Sequence, residues 1–421
     1  MHHFHYQNGA LYCENVPVAE IAAKVGTPFY LYSHATLSHH FRTFTKAFEG
    51  FPHLVCFAVK ANGNLAILRL FAQLGGGADI VSGGELFRAL KAGVEPKKVV
   101  YSGVGKNPAE ISFALKTGIL MFNIESTQEL AAISRAAGRL KTKAPIALRI
   151  NPDIDPKTHP YISTGLKKNK FGIDIERALD DYRHAVRLPH VEVVGVACHI
   201  GSQITELGPF LEALARLKEL IRQLEGEGIH IRYLDIGGGL GITYDQEKPP
   251  HPQEYGAALL KELAGLKVTL ILEPGRVLVG NAGILVTRVL YTKDTEDKHF
   301  IVVDAGMNDL ARPSLYGSYH GIWPVIKKDR PSLMASVVGP ICESGDFLAK
   351  NRRLPAFQPQ ELVAVMSAGA YGFSMSSNYN ARPRVAEILV KENDFYVIRK
   401  RETYRHLIWG ESIPEFLWAS L

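Results

Sequence analysis

The sequence is poor in what marks several large classes of protein. Only four cysteines occur in 421 residues, Cys13, Cys56, Cys198 and Cys342, and no two stand in a C-x-x-C arrangement. That scatter argues against a zinc knuckle or a disulfide framework and fits a reducing compartment. No apolar stretch approaches the ~20 residues that a membrane-spanning helix needs, so no membrane partner is expected. The opening residues, Met1-His2-His3-Phe4-His5-Tyr6, lack both the basic and the apolar part of a secretory signal, and the expected location is cytoplasmic. Their three histidines read as an irregular polar terminus, and no metal site is expected. Nor is there a large excess of one charge: 48 Lys+Arg against 42 Asp+Glu give a formal +6, which slightly favours anionic small molecules. The most basic stretch, Lys167-Lys168-Asn169-Lys170, reads as a solvated loop, and nucleic acid is not an expected partner.

What is present is an ordinary globular composition, 46% hydrophobic and 21% charged, in a chain long enough for two domains. Between residues 54 and 273, short apolar runs alternate with helix-like segments. The runs are Leu54–Val59, Ala78–Val81, Val99–Tyr101, Ile119–Phe122, Ile146–Ile150, Val191–Cys198, Ile231–Ile236 and Val268–Leu272; helical examples are Asn64–Leu74, Ser126–Ala137 and Gly208–Leu224. Each gap has room for a crossover helix, so the pattern predicts a (β/α)8 TIM-like barrel over 34–280. An open doubly wound sheet is the alternative, but it does not usually need eight consecutive repeats. Beyond residue 280 short strands separated by turns predict a mainly antiparallel β domain over 281–421, joined by residues 1–33. Pro28-Phe29-Tyr30-Leu31-Tyr32 is the extra strand expected to enter that sheet.

Barrel enzymes work at the C-terminal ends of their strands, and unusual residues recur there. Lys60 follows the first run, Asp79 lies in the second and Ser82 just after it, Arg149 and Asn151 are at the end of the fifth, His199 to Ser202 follow the sixth, Gly237-Gly238-Gly239 the seventh and Glu273-Pro274-Gly275-Arg276 the eighth. A desolvated Lys60 amine has a lowered pKa and is a nucleophile toward aldehydes, or else it snorkels from the barrel mouth. The three glycines form a phosphate cradle or simply a tight turn. The Glu273 carboxylate keeps a pyridine nitrogen protonated, or pairs with Arg276. His199 is a general acid/base, a ring packed on a cofactor face, or a structural histidine. An amine, a phosphate cradle and a carboxylate together are what a pyridoxal phosphate Schiff base requires.

The chain resembles the alanine-racemase-fold pyridoxal-phosphate enzymes, and within them the diaminopimelate decarboxylases. The resemblance runs from Gly26-Thr-Pro-Phe-Tyr30 to Arg382-Pro-Arg384. It includes Phe57-Ala-Val-Lys60-Ala-Asn62, Ala78-Asp-Ile-Val-Ser-Gly-Gly-Glu85, His199-Ile-Gly-Ser-Gln203, Asp235-Ile-Gly-Gly-Gly239 and Gly339-Pro-Ile-Cys-Glu-Ser-Gly-Asp346. No motif position departs. The resemblance implies pyridoxal 5'-phosphate as cofactor, Lys60 as its covalent anchor, and His199 against the ring face. It implies Ser202, Gly239, the Glu273–Arg276 turn and Tyr371, the last from the second domain, as phosphate holders. Glu273 is implied as the partner of the pyridine nitrogen. Arg276, Arg312 and Tyr316 are implied as the clamp for a distal carboxylate, Glu343 as the partner of a distal ammonium, and Cys342 as a proton donor. The last two are implied to act across a homodimer with shared active sites. The segment around His159 and Lys167–Lys170 is implied to be a lid. The implied reaction takes meso-2,6-diaminopimelate to L-lysine and CO2. Its rivals are decarboxylation of another basic amino acid (ornithine, arginine or carboxynorspermidine) and a non-catalytic protein of the same fold. Cys13, Cys56 and Cys198 are read as structural.

Overall fold

The computed structural model describes residues 2–155 and 170–418, and its contacts separate two units. The first comprises His34–Ala282 together with Gly369–Ser374; the second comprises His3–Ser33, Gly283–Ala368 and the chain from Met375 on.

In the first unit eight parallel strands close on themselves. In order they are His53–Ala58, Gly77–Ile80, Val99–Tyr101, Met121–Ile124, Ala144–Asn151, Val191–Ala197, Tyr233–Asp235 and Thr269–Leu272, and the eighth pairs with the first. All eight predicted runs contribute a strand. The fourth begins two residues late, because Gly118 ends the preceding helix in a left-handed turn that also takes in Ile119 and Leu120. The barrel interior is apolar, with Cys56, Val100, Met121, Ala147, Val194, Ala197 and Ile271 in one cluster. A helix follows each of the first seven strands before the next begins. After the eighth there is only Arg276–Val279, and His34–Lys46, which precedes the first strand, is bound to it where His40 Nδ1 donates to Leu278 O at 3.1 Å.

Short polar residues set where these helices start. Ser82 caps Gly83–Lys91 by accepting from Glu85 N at 3.2 Å, while Glu85 Oε2 accepts from Val81 N at 2.7 Å. The Ser-Gly-Gly-Glu motif is therefore first a helix start. Ser126 caps Thr127–Arg139 in the same way.

The second unit is built on a mixed, mostly antiparallel sheet. Its longest strand, Gly283–Asp294, pairs over its first half with Phe29–Ser33 on one side and Leu362–Val365 on the other, and over its second half with His299–Val303. Phe29–Ser33, predicted as the N-terminal contribution, also pairs in parallel with Ala386–Lys391. A second parallel pairing joins His299–Val303 to Ser332–Val338. Two further strands, Phe347–Pro355 and Ala386–Lys391, are less apolar than the rest. The first carries a polar stretch on its open face. The second contains Glu387, fully buried, which accepts from Tyr32 Oη at 2.9 Å and pairs with Arg399.

The segment Gly369–Ser374 corrects one expectation: Tyr371 groups with the barrel unit rather than with the β domain. Its N–H donates to Ala61 O at 2.8 Å, one residue beyond Lys60, and Asn62 Nδ2 reaches Gly369 O at 3.2 Å.

Candidate active site

The C-terminal rim of the barrel encloses a cavity of about 410 Å³ whose lining includes Lys60, Asn123, Arg149, His199 and Glu273. Lys60 sits in a single 3-10 turn, Val59–Ala61, directly after the first strand. Its Nζ lies 2.6 Å from Oδ2 of the fully buried Asp79. A depressed pKa was expected here from desolvation. Burial does pull the ammonium down, but the charge of Asp79, to which it is hydrogen-bonded, leads the acid groups that outweigh it, and the net displacement is upward. A linear reading of the chain sees the apolar run before Lys60 and misses the acids that converge on it.

Glu273 is buried at the end of the eighth strand and accepts from Ser102 Oγ at 3.2 Å. Burial, with Asp235 and Asp79 close by, holds its carboxyl well above the usual range. The proposed Glu273–Arg276 ion pair does not form in the described structure. Arg276 donates instead to Tyr244 Oη at 2.7 Å and Ser202 Oγ at 2.9 Å, with its guanidinium carbon 5.0 Å from the centre of the Tyr371 ring. Ser202, Arg276 and Tyr371 are thus gathered in one cationic, hydroxyl-rich corner, with Gly275 3.5 Å from Tyr371 Oη when a Cβ is built on it.

His199 Nδ1 accepts from Gly238 N at 3.1 Å, which leaves its proton on Nε2. Burial, then the charges of Arg149 and Lys60, push its pKa well below normal, so the ring is neutral. Gly237 N donates to Asp235 Oδ1 at 2.9 Å. Of the three glycines, then, Gly237 and Gly238 have their N–H groups committed within the chain. The turn needs glycine for steric reasons too: a Cβ on Gly238 would stand 2.2 Å from Glu273 O, and Gly239 has φ +112°.

Sequence reasoning missed part of this wall. Asn123 Nδ2 donates to Asp235 Oδ2 at 2.9 Å and reaches Glu273 Oε1 at 3.4 Å. Lys106, whose side chain is fully buried, bonds Gly103 O at 2.8 Å, Asn123 O at 2.7 Å and Glu129 Oε1 at 2.6 Å, which pins the loop that forms one side of the cavity. Arg149 pairs with Glu125 at 2.7 Å and stacks on Phe171. Only the strand-end position of Asn123 hinted at its place, and nothing in the sequence singled out Lys106.

The remaining candidates belong to the second unit. Arg312 and Tyr316 bracket the short helix Arg312–Tyr316, and Arg312 Nη1 donates to His320 Nε2 at 3.0 Å. Cys342 and Glu343 lie on the loop after Ser332–Val338, and Cys342 is exposed. Asp346 shapes that loop by accepting from Met307 N and Ile341 N, both at 2.6 Å. Ser314 Oγ donates to Gly345 O at 2.5 Å, so helix and loop are fastened together. Cys13, Cys56 and Cys198 are buried. Of the expected lid, His159, Lys167 and Lys168 lie outside the described residues. Among the described residues no helix is long and apolar enough to cross a membrane, and no His/Cys/Asp/Glu cluster is arranged to hold a metal ion.

Residues 34–280 match the family model described as "Pyridoxal-dependent decarboxylase, pyridoxal binding domain". The chain is 53% identical over 418 residues to the diaminopimelate decarboxylase of Vibrio cholerae, covering 99% of this chain and 100% of that one. It is also similar to two crystal structures of diaminopimelate decarboxylases with L-lysine. The one from M. jannaschii has a TM-score of 0.94 at 40% identity, covering 98% of both chains. The one from Helicobacter pylori has a TM-score of 0.91 at 45% identity, covering 93% of this chain and 98% of that one.

The glycine turn yields a test. Gly238→Ala forces a Cβ against a backbone carbonyl, so the turn must shift and with it the His199 ring. Cofactor affinity measured by fluorescence titration is expected to fall at least tenfold. Gly226→Ala, where a Cβ meets nothing within 4 Å, is expected to leave it unchanged. Equal affinities in the two variants would mean that the turn does not shape the site.

Proposed function

The chain belongs to the diaminopimelate decarboxylases, a family of pyridoxal-dependent decarboxylases, and from that membership we infer that it converts meso-2,6-diaminopimelate to L-lysine and CO2. The observation that carries the reading is the joint presence of Lys60 and Glu273 in one cavity at the C-terminal rim of a parallel barrel. The cofactor needs an amine for its aldehyde, an acid for its ring nitrogen and a cradle for its phosphate. Lys60, Glu273 and the corner of Ser202, Gly239, Gly275, Arg276 and Tyr371 meet those needs. When bound, pyridoxal phosphate supplies an electron sink for the pair left behind as CO2 departs.

The chain's own residues do the rest. Lys60 must give up a proton before its amine can act, and Asp79, bonded to it at 2.6 Å, is the acceptor in place. Glu273 keeps a proton at the ring nitrogen. His199, neutral, offers a flat face rather than a competing positive charge. Arg312 and Tyr316 hold the carboxylate of the non-reacting end, since a guanidinium fork suits a carboxylate. Glu343 holds the ammonium at that end. Cys342 delivers a proton to Cα, in keeping with an exposed thiol on an ordered loop. The working form is a homodimer in which Cys342 and Glu343 complete the partner's site, as two-fold symmetry permits for two equivalent composite sites. A cytoplasmic setting agrees with four cysteines that are all free.

The product is L-lysine, so the carboxyl lost is at the D end, and D-lysine keeps the reacting centre without the distal carboxylate. Arg312→Ala is expected to lower kcat/KM for meso-diaminopimelate roughly ten- to hundredfold, the scale of one charged hydrogen bond. The inhibition constant of D-lysine should hardly move. Equal losses would make Arg312 part of the scaffold and reopen the choice among basic amino acids.

Lys60→Ala and Cys342→Ala proteins, each nearly inactive, test the shared site when dissociated and remixed in equal amounts. About half the dimers are then mixed, each with one intact site, and activity should recover to about a quarter of wild type. Verified subunit exchange without recovery would assign both residues to one chain's site.

A further inference from the structure

Around Glu273, in and behind the cavity wall, lies a group of polar side chains that the reading above leaves without a role. Asp235 ends the seventh strand, Asn123 lies in the fourth and Ser102 follows the third; all are buried, as is Glu273. One nitrogen, Asn123 Nδ2, donates to Asp235 Oδ2 at 2.9 Å, to Ser102 Oγ at 3.1 Å and toward Glu273 Oε1 at 3.4 Å. Asn123 Oδ1 has no hydrogen-bond partner among the described residues, so the amide acts here only as a donor. Two carboxyl groups reached by one amide nitrogen lie too close, and too far from water, for both to be charged at modest cost.

The hydrogen bonds say which of the two carries the proton. Asp235 accepts at both oxygens, from Gly237 N at 2.9 Å and from Asn123 Nδ2, as an ionised carboxylate does. Glu273 accepts at Oε1 from Ser102 Oγ at 3.2 Å and from Asn123, and its carboxyl is hydrogen-bonded to that of Asp235, a contact that requires a proton and raises Glu273 while it lowers Asp235.

Resting on the cofactor reading above, we propose that Asp235, fixed by Asn123 and Gly237, is a positioning residue that keeps Glu273 protonated until a pyridine ring docks and then lets that proton pass to the ring nitrogen. The Glu273 O–H bond breaks and a ring N–H bond forms. The two carboxylates of Asp235 and Glu273 then face one protonated ring nitrogen, Asp79 stays paired with the Lys60 ammonium, and no further reactant is consumed. In the described structure burial pushes Asp235 up to about 6, and burial together with Asp235 and Asp79 holds Glu273 well above the ordinary carboxyl range. The other groups around the pair do not supply this proton. Cys56 and Cys198 are thiols raised by burial, Cys198 to about 12. His199 is neutral, the Arg149 guanidinium is paired with Glu125, and the Lys60 ammonium is bonded to Asp79.

The test uses the cofactor-free full-length chain and 4-deoxypyridoxine phosphate, which has the ring nitrogen and phosphate but no aldehyde. Calorimetry in buffers of different ionisation enthalpy counts protons exchanged on binding. Asp235→Asn removes the neighbouring charge while burial and Asp79 remain, so Glu273 should be ionised to a greater extent there and the ring should draw more of its proton from solution. The variant is expected to take up measurably more protons, up to about one, per ring bound than wild type. Infrared spectra give an independent reading that needs no Asp235 variant. The carbonyl stretch of a buried protonated carboxyl should be present in wild type near neutral pH, absent in Glu273→Gln, and lost from wild type when the probe binds. Equal proton counts in Asp235→Asn and wild type, or an infrared band unaffected by Glu273→Gln, would overturn the proposal while leaving the cofactor reading intact. Failure of the probe to bind wild type at all would sink both.

Discussion

The site is governed by the cost of burying charge. Asp79, Asp235 and Glu273 are all nearly inaccessible; Asp79 and Glu273 lie about one ammonium, Lys60, and Asp235 stands beside Glu273. Isolated ions cannot be left in such a place; they must pair, accept hydrogen bonds or change protonation state. Each group here follows one of those courses. Asp79 pairs with Lys60, Asp235 is held by two N–H donors, and Glu273 takes up a proton. A ring with a basic nitrogen and an aldehyde answers the two groups this arrangement leaves reactive.

The barrel makes that concentration possible. Eight parallel strands end on one rim, so residues far apart in sequence, from Lys60 to Glu273, meet without any of them lying on a long loop. The second layer is equally local in origin. Lys106 is buried against two backbone carbonyls and Glu129, and its loop is thereby fixed next to Asn123. The glycine turn closes the arrangement, since Gly238 donates to His199 while its missing side chain lets the chain pass against the carbonyl of Glu273.

Much of this was legible in the sequence because the barrel strands are short apolar runs, and a charged residue at the end of such a run is conspicuous. Lys60, Asp79, His199 and Glu273 stood out for that reason. Ser102 and Asn123 did not, because short polar residues at strand ends are ordinary until their partners are known. The direction of the Lys60 shift was misjudged for a related reason: desolvation can be read from neighbours in sequence, but a field set by acids 19 and 213 residues away cannot. In the β domain, Phe347–Pro355 and Ala386–Lys391 were hidden by polar residues, one set on an open face and one, Glu387, internally paired. The brief return of Gly369–Ser374 to the barrel has no sequence signal at all.

The Lys60 ammonium, half-buried beside Asp79, is the group that anchors the cofactor. Borohydride reduction of the cofactor-loaded chain, followed by proteolysis and mass spectrometry, tests it directly. The account predicts a single pyridoxyl adduct, on the peptide containing Lys60. An adduct on Lys106, Lys170 or any other lysine, with the Lys60 peptide unmodified, would contradict it.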